Sequence, residues 1–275
     1  MMGPLKNRYC GKNIQTPTFL EKGINFLIQG ENMHQEAVSY QVGGFKMKGY
    51  LAYDNASAAK RPAIVIAHAW KGLGEFECEK ARQLANLGYV AFAADVFGGG
   101  KTAESDEEAG ALMLPLFIDR KTLRERIRAA VEAVKQYAVV DPDKVGAIGF
   151  CFGGLTVIEL LRSGADIVGA VSFHGVLGDT LGGNKAHIEP LAKEIKGALL
   201  ILHGYEDPLV PPGHIVAIQK ELNDANVDWQ MDIYGHTSHA FTNPALKDYE
   251  QGLVYNEKSS QRAWRSMRNF FEEIF

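Results

Sequence analysis

Val145-Gly146-Ala147-Ile148-Gly149-Phe150-Cys151-Phe152-Gly153-Gly154 is the stretch from which the rest of the chain can be read. Its first six residues are the continuous apolar run expected of a strand covered on both faces, and a helical pattern follows from Phe152 to Arg162. Between them sits a G-x-C-x-G pentapeptide. A sharp strand-to-helix turn holds its central residue in a strained conformation, and flanking glycines remove the side chains that would collide there. Such a turn aims Cys151 at a helix N-terminus, whose amides and dipole favour a thiolate and an oxyanion. A buried cysteine that merely packs at a Gly-rich junction would show the same pentapeptide, so the reading needs partners elsewhere in the chain.

Working outward, Ala63 to Ala67, Tyr89 to Ala94, Ile167 to Phe173, Ala198 to Leu202 and Asp228 to Tyr234 repeat the strand signal. Helical patterns alternate with them: Glu77 to Leu87, Glu104 to Tyr137 as two helices broken near Pro115 and restarted near Asp119, Pro212 to Ala225, and Ser259 to the C-terminus. Asp141-Pro142-Asp143 reads as a turn. Ala37 to Val42 and Phe45 to Tyr53 flank Gly43-Gly44, the composition of a hairpin. The expected fold is α/β, a mainly parallel central sheet with helices on both faces and an N-terminal hairpin. Residues 1 to 33 have no sustained period and read as an appendage, with Met33 a possible alternative start; residues 34 to 275 read as one domain.

Chemistry in such a sheet belongs at the carboxyl ends of the strands. There, Tyr205-Glu206-Asp207-Pro208 places two carboxylates after the strand ending at Leu202, and Asp207 is preferred because Pro208 stiffens its backbone. Glu206 is the alternative acid. After the last strand, Gly235-His236-Thr237-Ser238-His239-Ala240-Phe241 offers two bases, with His239 favoured over His236. His68, His174, His187 and His203 read as structural residues. None of these four has a second ligand at metal-binding spacing, so no metal is expected, and no cofactor is expected either.

The 275 residues are 46% hydrophobic and 23% charged, with a net charge of −4 and a pI near 6.1. That balance gives no electrostatic reason for a nucleic-acid or anionic-membrane partner. No run approaches the roughly 18 apolar residues of a membrane span. Three cysteines, Cys10, Cys78 and Cys151, without a CxxC pair fit free thiols in a reducing compartment, so the expected location is cytoplasmic.

The cysteine elbow, His203-Gly204, Asp207-Pro208-Leu209-Val210-Pro211 and His239-Ala240-Phe241 together resemble the dienelactone hydrolase family, from about residue 37 to the end. The resemblance implies an α/β-hydrolase fold without a large cap, a Cys151-Asp207-His239 triad, and an oxyanion hole formed by the amides of Phe152 and Trp70. It favours His239 over His236. Three positions depart from the members that cleave dienelactones. Their glutamate after the first core strand aligns with Ala69, and their two substrate-binding arginines align near Gly99 and Asn243. Lys71 and Lys101 are the nearby basic residues, and a lysine does not reproduce a bidentate arginine clamp. The activity expected is hydrolysis of a small carboxylic ester, lactone or thioester through an acyl-enzyme, with a neutral substrate preferred to an anionic one. The competing readings are a thiol-based redox protein and a non-catalytic binding scaffold.

Overall fold

The computed structural model describes residues 32–275; the expected appendage lies outside the described residues, apart from its last two. The elements run β1 (Met33–Val42), β2 (Phe45–Asp54), β3 (Arg61–Ala67), α1 (Glu75–Asn86), β4 (Val90–Ala94), α2 (Asp106–Ile118), α3 (Arg120–Lys135), β5 (Val140–Phe150), α4 (Phe152–Arg162), β6 (Gly169–Phe173), β7 (Thr180–Leu181), β8 (Asn184–Lys185), β9 (Ala198–Gly204), α5 (Pro212–Asp224), β10 (Trp229–Tyr234), β11 (Lys247–Asp248), β12 (Leu253–Val254) and α6 (Glu257–Ile274). Eight strands form the main sheet in the order β1-β2-β4-β3-β5-β6-β9-β10. The β1–β2 hairpin joins it antiparallel, and β4, β3, β5, β6, β9 and β10 are mutually parallel.

Period-two alternation sorts the strand side chains onto two faces. On β3, Ala63, Val65 and Ala67 enter a core shared with α3, α4 and α5, while Ile64 and Ile66 enter a second core under α1 and α6. Both faces are covered, which is why these strands read as continuous apolar runs.

Two sequence expectations shift. The break between α2 and α3 falls at Asp119, which caps α3 through Thr122, and Pro115 lies inside α2. Burial of Met113, Leu116 and Phe117 outweighs the roughly 3 kcal/mol that an interior proline costs. Asp141-Pro142-Asp143, expected as a turn, lies within β5 as an irregularity of the strand. The register jumps there from Arg61↔Val140 to Ala63↔Val145, and Asp143 N–H donates to Asp141 Oδ1 at 3.2 Å. One chemical expectation also changes: Cys78, in the core under α1, is disulfide-bonded rather than a thiol. Among the described residues no helix is long and apolar enough to cross a membrane.

The strand order reverses at β3, since β4 lies on one side of it and β5 on the other. Loops leaving the carboxyl ends of β3 and β5 therefore diverge and leave a crevice, the usual ligand position of an open α/β sheet. The loop after β3 carries Trp70; the turn after β5 carries Cys151.

Candidate active site

Cys151 occupies the turn between β5 and α4 at φ 56° and ψ −114°. Positive φ strains a residue with a Cβ, and close backbone approaches on both sides enforce it. A Cβ on Gly149 would stand 1.9 Å from Gly153 O, and one on Gly153 would stand 2.1 Å from Ala67 O. Only glycine fits either place, so the G-x-C-x-G spacing is dictated by packing of α4 against β3 and β5. Phe152 opens α4, where an amide lacks an intrahelical acceptor.

α4 is held at its other end by buried charge. Glu159 accepts from Arg162 at 2.8 Å and from Arg124 at 2.9 Å, and Arg120 lies 3.6 Å away. Arg162 also reaches Glu221 of α5 at 2.5 Å. These bonds tie the helix under the elbow to α3 and α5.

His239 lies on the loop after β10, and Asp207 lies on the loop after β9. His239 Nδ1–H donates to Asp207 Oδ2 at 2.7 Å, and both side chains are 0% exposed. A carboxylate only accepts, so this bond fixes the imidazole tautomer and leaves Nε2 for chemistry. Nε2 is buried without a hydrogen-bond partner of good geometry. Burial pulls the His239 pKa down, but the charges of Cys151 and Asp207 and their hydrogen bonds outweigh it and push the group up to about 10. The alternative pair sits elsewhere: His236 is 99% exposed and contacts Glu206 at 3.2 Å on the surface. Of the candidates from sequence, Cys151, His239 and Trp70 line a cavity of about 730 Å³, with Asp207 behind the imidazole.

His174, read from sequence as structural, belongs to this assembly. It follows β6 at φ 40°. Cys151 N–H donates to its Nδ1 at 3.2 Å, so Nε2–H donates to Thr242 Oγ1 at 2.8 Å. Its ring meets His239 edge-on with centroids 5.1 Å apart. Burial first, then the neighbouring His239, holds its pKa well below the ordinary value, so it is a neutral spacer between elbow and base loop. The sequence signal was its place at a strand end, which several other histidines share.

Glu77 was also missed. Its buried carboxylate lines the cavity and accepts from Ala69 N–H at 3.1 Å and Gly74 N–H at 2.9 Å, pinning the loop that bears Trp70. Burial pushes its carboxyl above the usual range despite those amides. A glutamate therefore stands beside Ala69, although Ala69 itself has no acid. Lys71 lies over the Trp70 ring at 5.3 Å and pairs with Asp106 at 2.9 Å. Asn243 lines the cavity, whereas Gly99 and Lys101 do not. Among the described residues no group of three or more His, Cys, Asp or Glu is arranged to hold a metal ion.

A family model described as the dienelactone hydrolase family matches residues 47–275. The chain belongs to that family. A relative from Aquifex aeolicus (strain VF5), named "Putative carboxymethylenebutenolidase", is 31% identical over 86% of this chain and 97% of its own length. Two solved structures superpose with a TM-score of 0.82 over 89% of this chain and 99% of theirs: m3DLH at 38% identity, and a dienelactone hydrolase-like promiscuous phosphotriesterase, P91, from metagenomic libraries at 34%. The protein is a dienelactone hydrolase family hydrolase with the α/β-hydrolase fold.

Proposed function

We propose that this chain hydrolyses a small carboxylic ester, lactone or thioester by acyl transfer through Cys151, with His239 as base and Asp207 as the acid that orients it. One observation carries the reading: a buried imidazole whose Nδ1 is committed to Asp207 has its free Nε2 in the same cavity as a cysteine on a strained elbow. The relative named as a carboxymethylenebutenolidase supports a lactone or ester as substrate.

In the first step the Cys151 proton passes to His239 Nε2, and Sγ forms a bond to the carbonyl carbon. The oxyanion is received by the amides of Phe152 and Trp70; one such donor is worth about 2.7 to 4 kcal/mol. When the bond to the leaving group breaks, its oxygen or sulfur takes the proton from Nε2. Water then attacks the Cys151 thioester, gives its proton to His239, and releases the acid and the thiol. Asp207 keeps the tautomer and stabilises the imidazolium throughout. Thioester intermediates form readily from activated esters and lactones, which suits this chemistry better than amide cleavage.

Mass spectrometry after rapid quench with p-nitrophenyl acetate tests the assignment. A 1:1 acetyl adduct on Cys151, and loss of turnover in a folded Cys151→Ala protein, are expected. Wild-type turnover by Cys151→Ala would overturn it.

A further inference from the structure

Two cavities open on Cys151, and they differ in kind. The larger contains His239 and a wall rich in acidic side chains. The smaller, about 430 Å³, is walled by Met113, Leu114, Val176, Leu181 and Leu209, and no charged side chain lines it among the described residues. Cys151 and Trp70 belong to both, and His239 only to the larger.

We propose that the smaller cavity is the acyl subsite, built for an uncharged alkyl or aryl acyl group, and that the leaving group occupies the larger one. The assignment rests on the acyl-transfer reading above, and the argument is stereochemical. The leaving atom collects its proton from His239 Nε2, so it must lie on the imidazole side of the carbonyl carbon. The oxyanion points at the amides of Phe152 and Trp70. The remaining substituent, the acyl chain, is then directed away from His239, and the smaller cavity touches Cys151 without touching the imidazole. The wall agrees with that occupant. Gly110, Met113 and Leu114 stand at i, i+3 and i+4 on α2 and present one face to the cavity. Its volume lies within the usual range for small-molecule sites, and a carboxylate on the acyl chain would be desolvated there without a counter-charge.

Gly110 gives the decisive variant. A Cβ built there meets nothing within 4 Å, so the first carbon of a larger side chain has open space beside the cavity that Gly110 lines. The experiment compares kcat/KM for p-nitrophenyl esters from acetate to octanoate with that for alkyl acetates whose alcohol lengthens by the same steps. Each methylene on the acyl side raises kcat/KM by up to about fourfold until the cavity is full, equivalent to about 0.8 kcal/mol, and the alcohol series rises less. Gly110→Leu lowers the octanoate-to-acetate ratio at least about tenfold, and Met113→Ala moves the optimum to longer chains. A gain that follows the alcohol series instead overturns the assignment. So do acyl ratios unchanged in both variants when circular dichroism shows them folded. Cys151-dependent hydrolysis with a flat acyl profile overturns this subsite alone, whereas no Cys151-dependent hydrolysis of any ester removes the acyl-transfer reading and the subsite with it.

Discussion

Replacing Asp207 by asparagine preserves the side chain's shape and removes its charge. Both partners of the 2.7 Å bond are 0% exposed, so water does not take over when it is weakened. Breaking a buried charged pair by altering one partner costs about 3 to 5 kcal/mol. The imidazolium that needs the counter-charge is present during acylation, so most of that cost falls on the barrier. At 1.36 kcal/mol per factor of ten, kcat is expected to fall by about 10² to 10⁴ with a smaller change in KM. The pH profile should move as well. Asp207 is one of the groups that push His239 up to about 10, so its loss lowers that pKa, and the limb on which the imidazolium deprotonates shifts to lower pH. The linkage has the matching sign. A histidine raised above its ordinary 6.5 stabilises the fold fully below that pH and loses the contribution as pH rises through about 10; the variant loses it earlier. Steady-state hydrolysis of p-nitrophenyl butyrate between pH 6 and 10.5, with circular dichroism as the folding control, measures all three effects. Glu206→Gln is the companion variant, because its contact with His236 lies on the surface, where such a pair contributes about 0 to 1 kcal/mol. A loss below tenfold in folded Asp207→Asn, or a larger loss in Glu206→Gln, would refute the reasoning.

Two further outcomes follow from other parts of the molecule. Glu159→Leu leaves Arg162, Arg124 and Arg120 buried without their shared carboxylate, and urea denaturation should show a loss of about 3 to 5 kcal/mol; a change below 1 kcal/mol would mean that the cluster does not anchor α4. A neutral ester should exceed a matched carboxylate-bearing one by at least about a hundredfold in kcat/KM. Lys71 is the basic residue on the larger cavity and is already paired with Asp106, while Glu75, Glu77, Glu104 and Asp248 share the wall. An anion preference that fades with salt and with Lys71→Ala would reverse this.

The elbow was legible because its constraints are local. Gly149 and Gly153 are required by contacts made within the strand-turn-helix itself and with the neighbouring β3, and the pattern of residues shows it. The pairing of Asp207 with His239 was legible because each sits one loop beyond a recognisable strand, β9 and β10. Pro115 misled for the opposite reason: whether a proline ends a helix depends on the tertiary packing around it, and Met113, Leu116 and Phe117 decided the matter from three dimensions. His174 and Glu77 were missed because their meaning lies in what they touch. His174 sits 23 residues from Cys151 in sequence and receives its amide proton in space. Glu77 showed in the sequence only as the start of a helical pattern. The two cavities were invisible for the same reason, since their walls bring together one face of α2, β8 and the loop around β11 and β12, segments far apart in the sequence.

Those segments differ in how they are joined to His239. His239 forms an isolated bridge with Leu253, and Val254 N–H donates to His239 O at 3.1 Å, so the wall beside β12 is tied through the backbone to the residue that carries the imidazole. Among the described residues α2 makes no hydrogen bond to His239, and its Gly110, Met113 and Leu114 line the smaller cavity, which Cys151 shares and the imidazole does not. Selection acting on α2 is thus free to reshape what the protein accepts without retuning its base, whereas drift around Leu253 changes taste and speed together. Descendants of this sequence should diversify fastest along the α2 face and stay most alike where β12 grips the histidine loop.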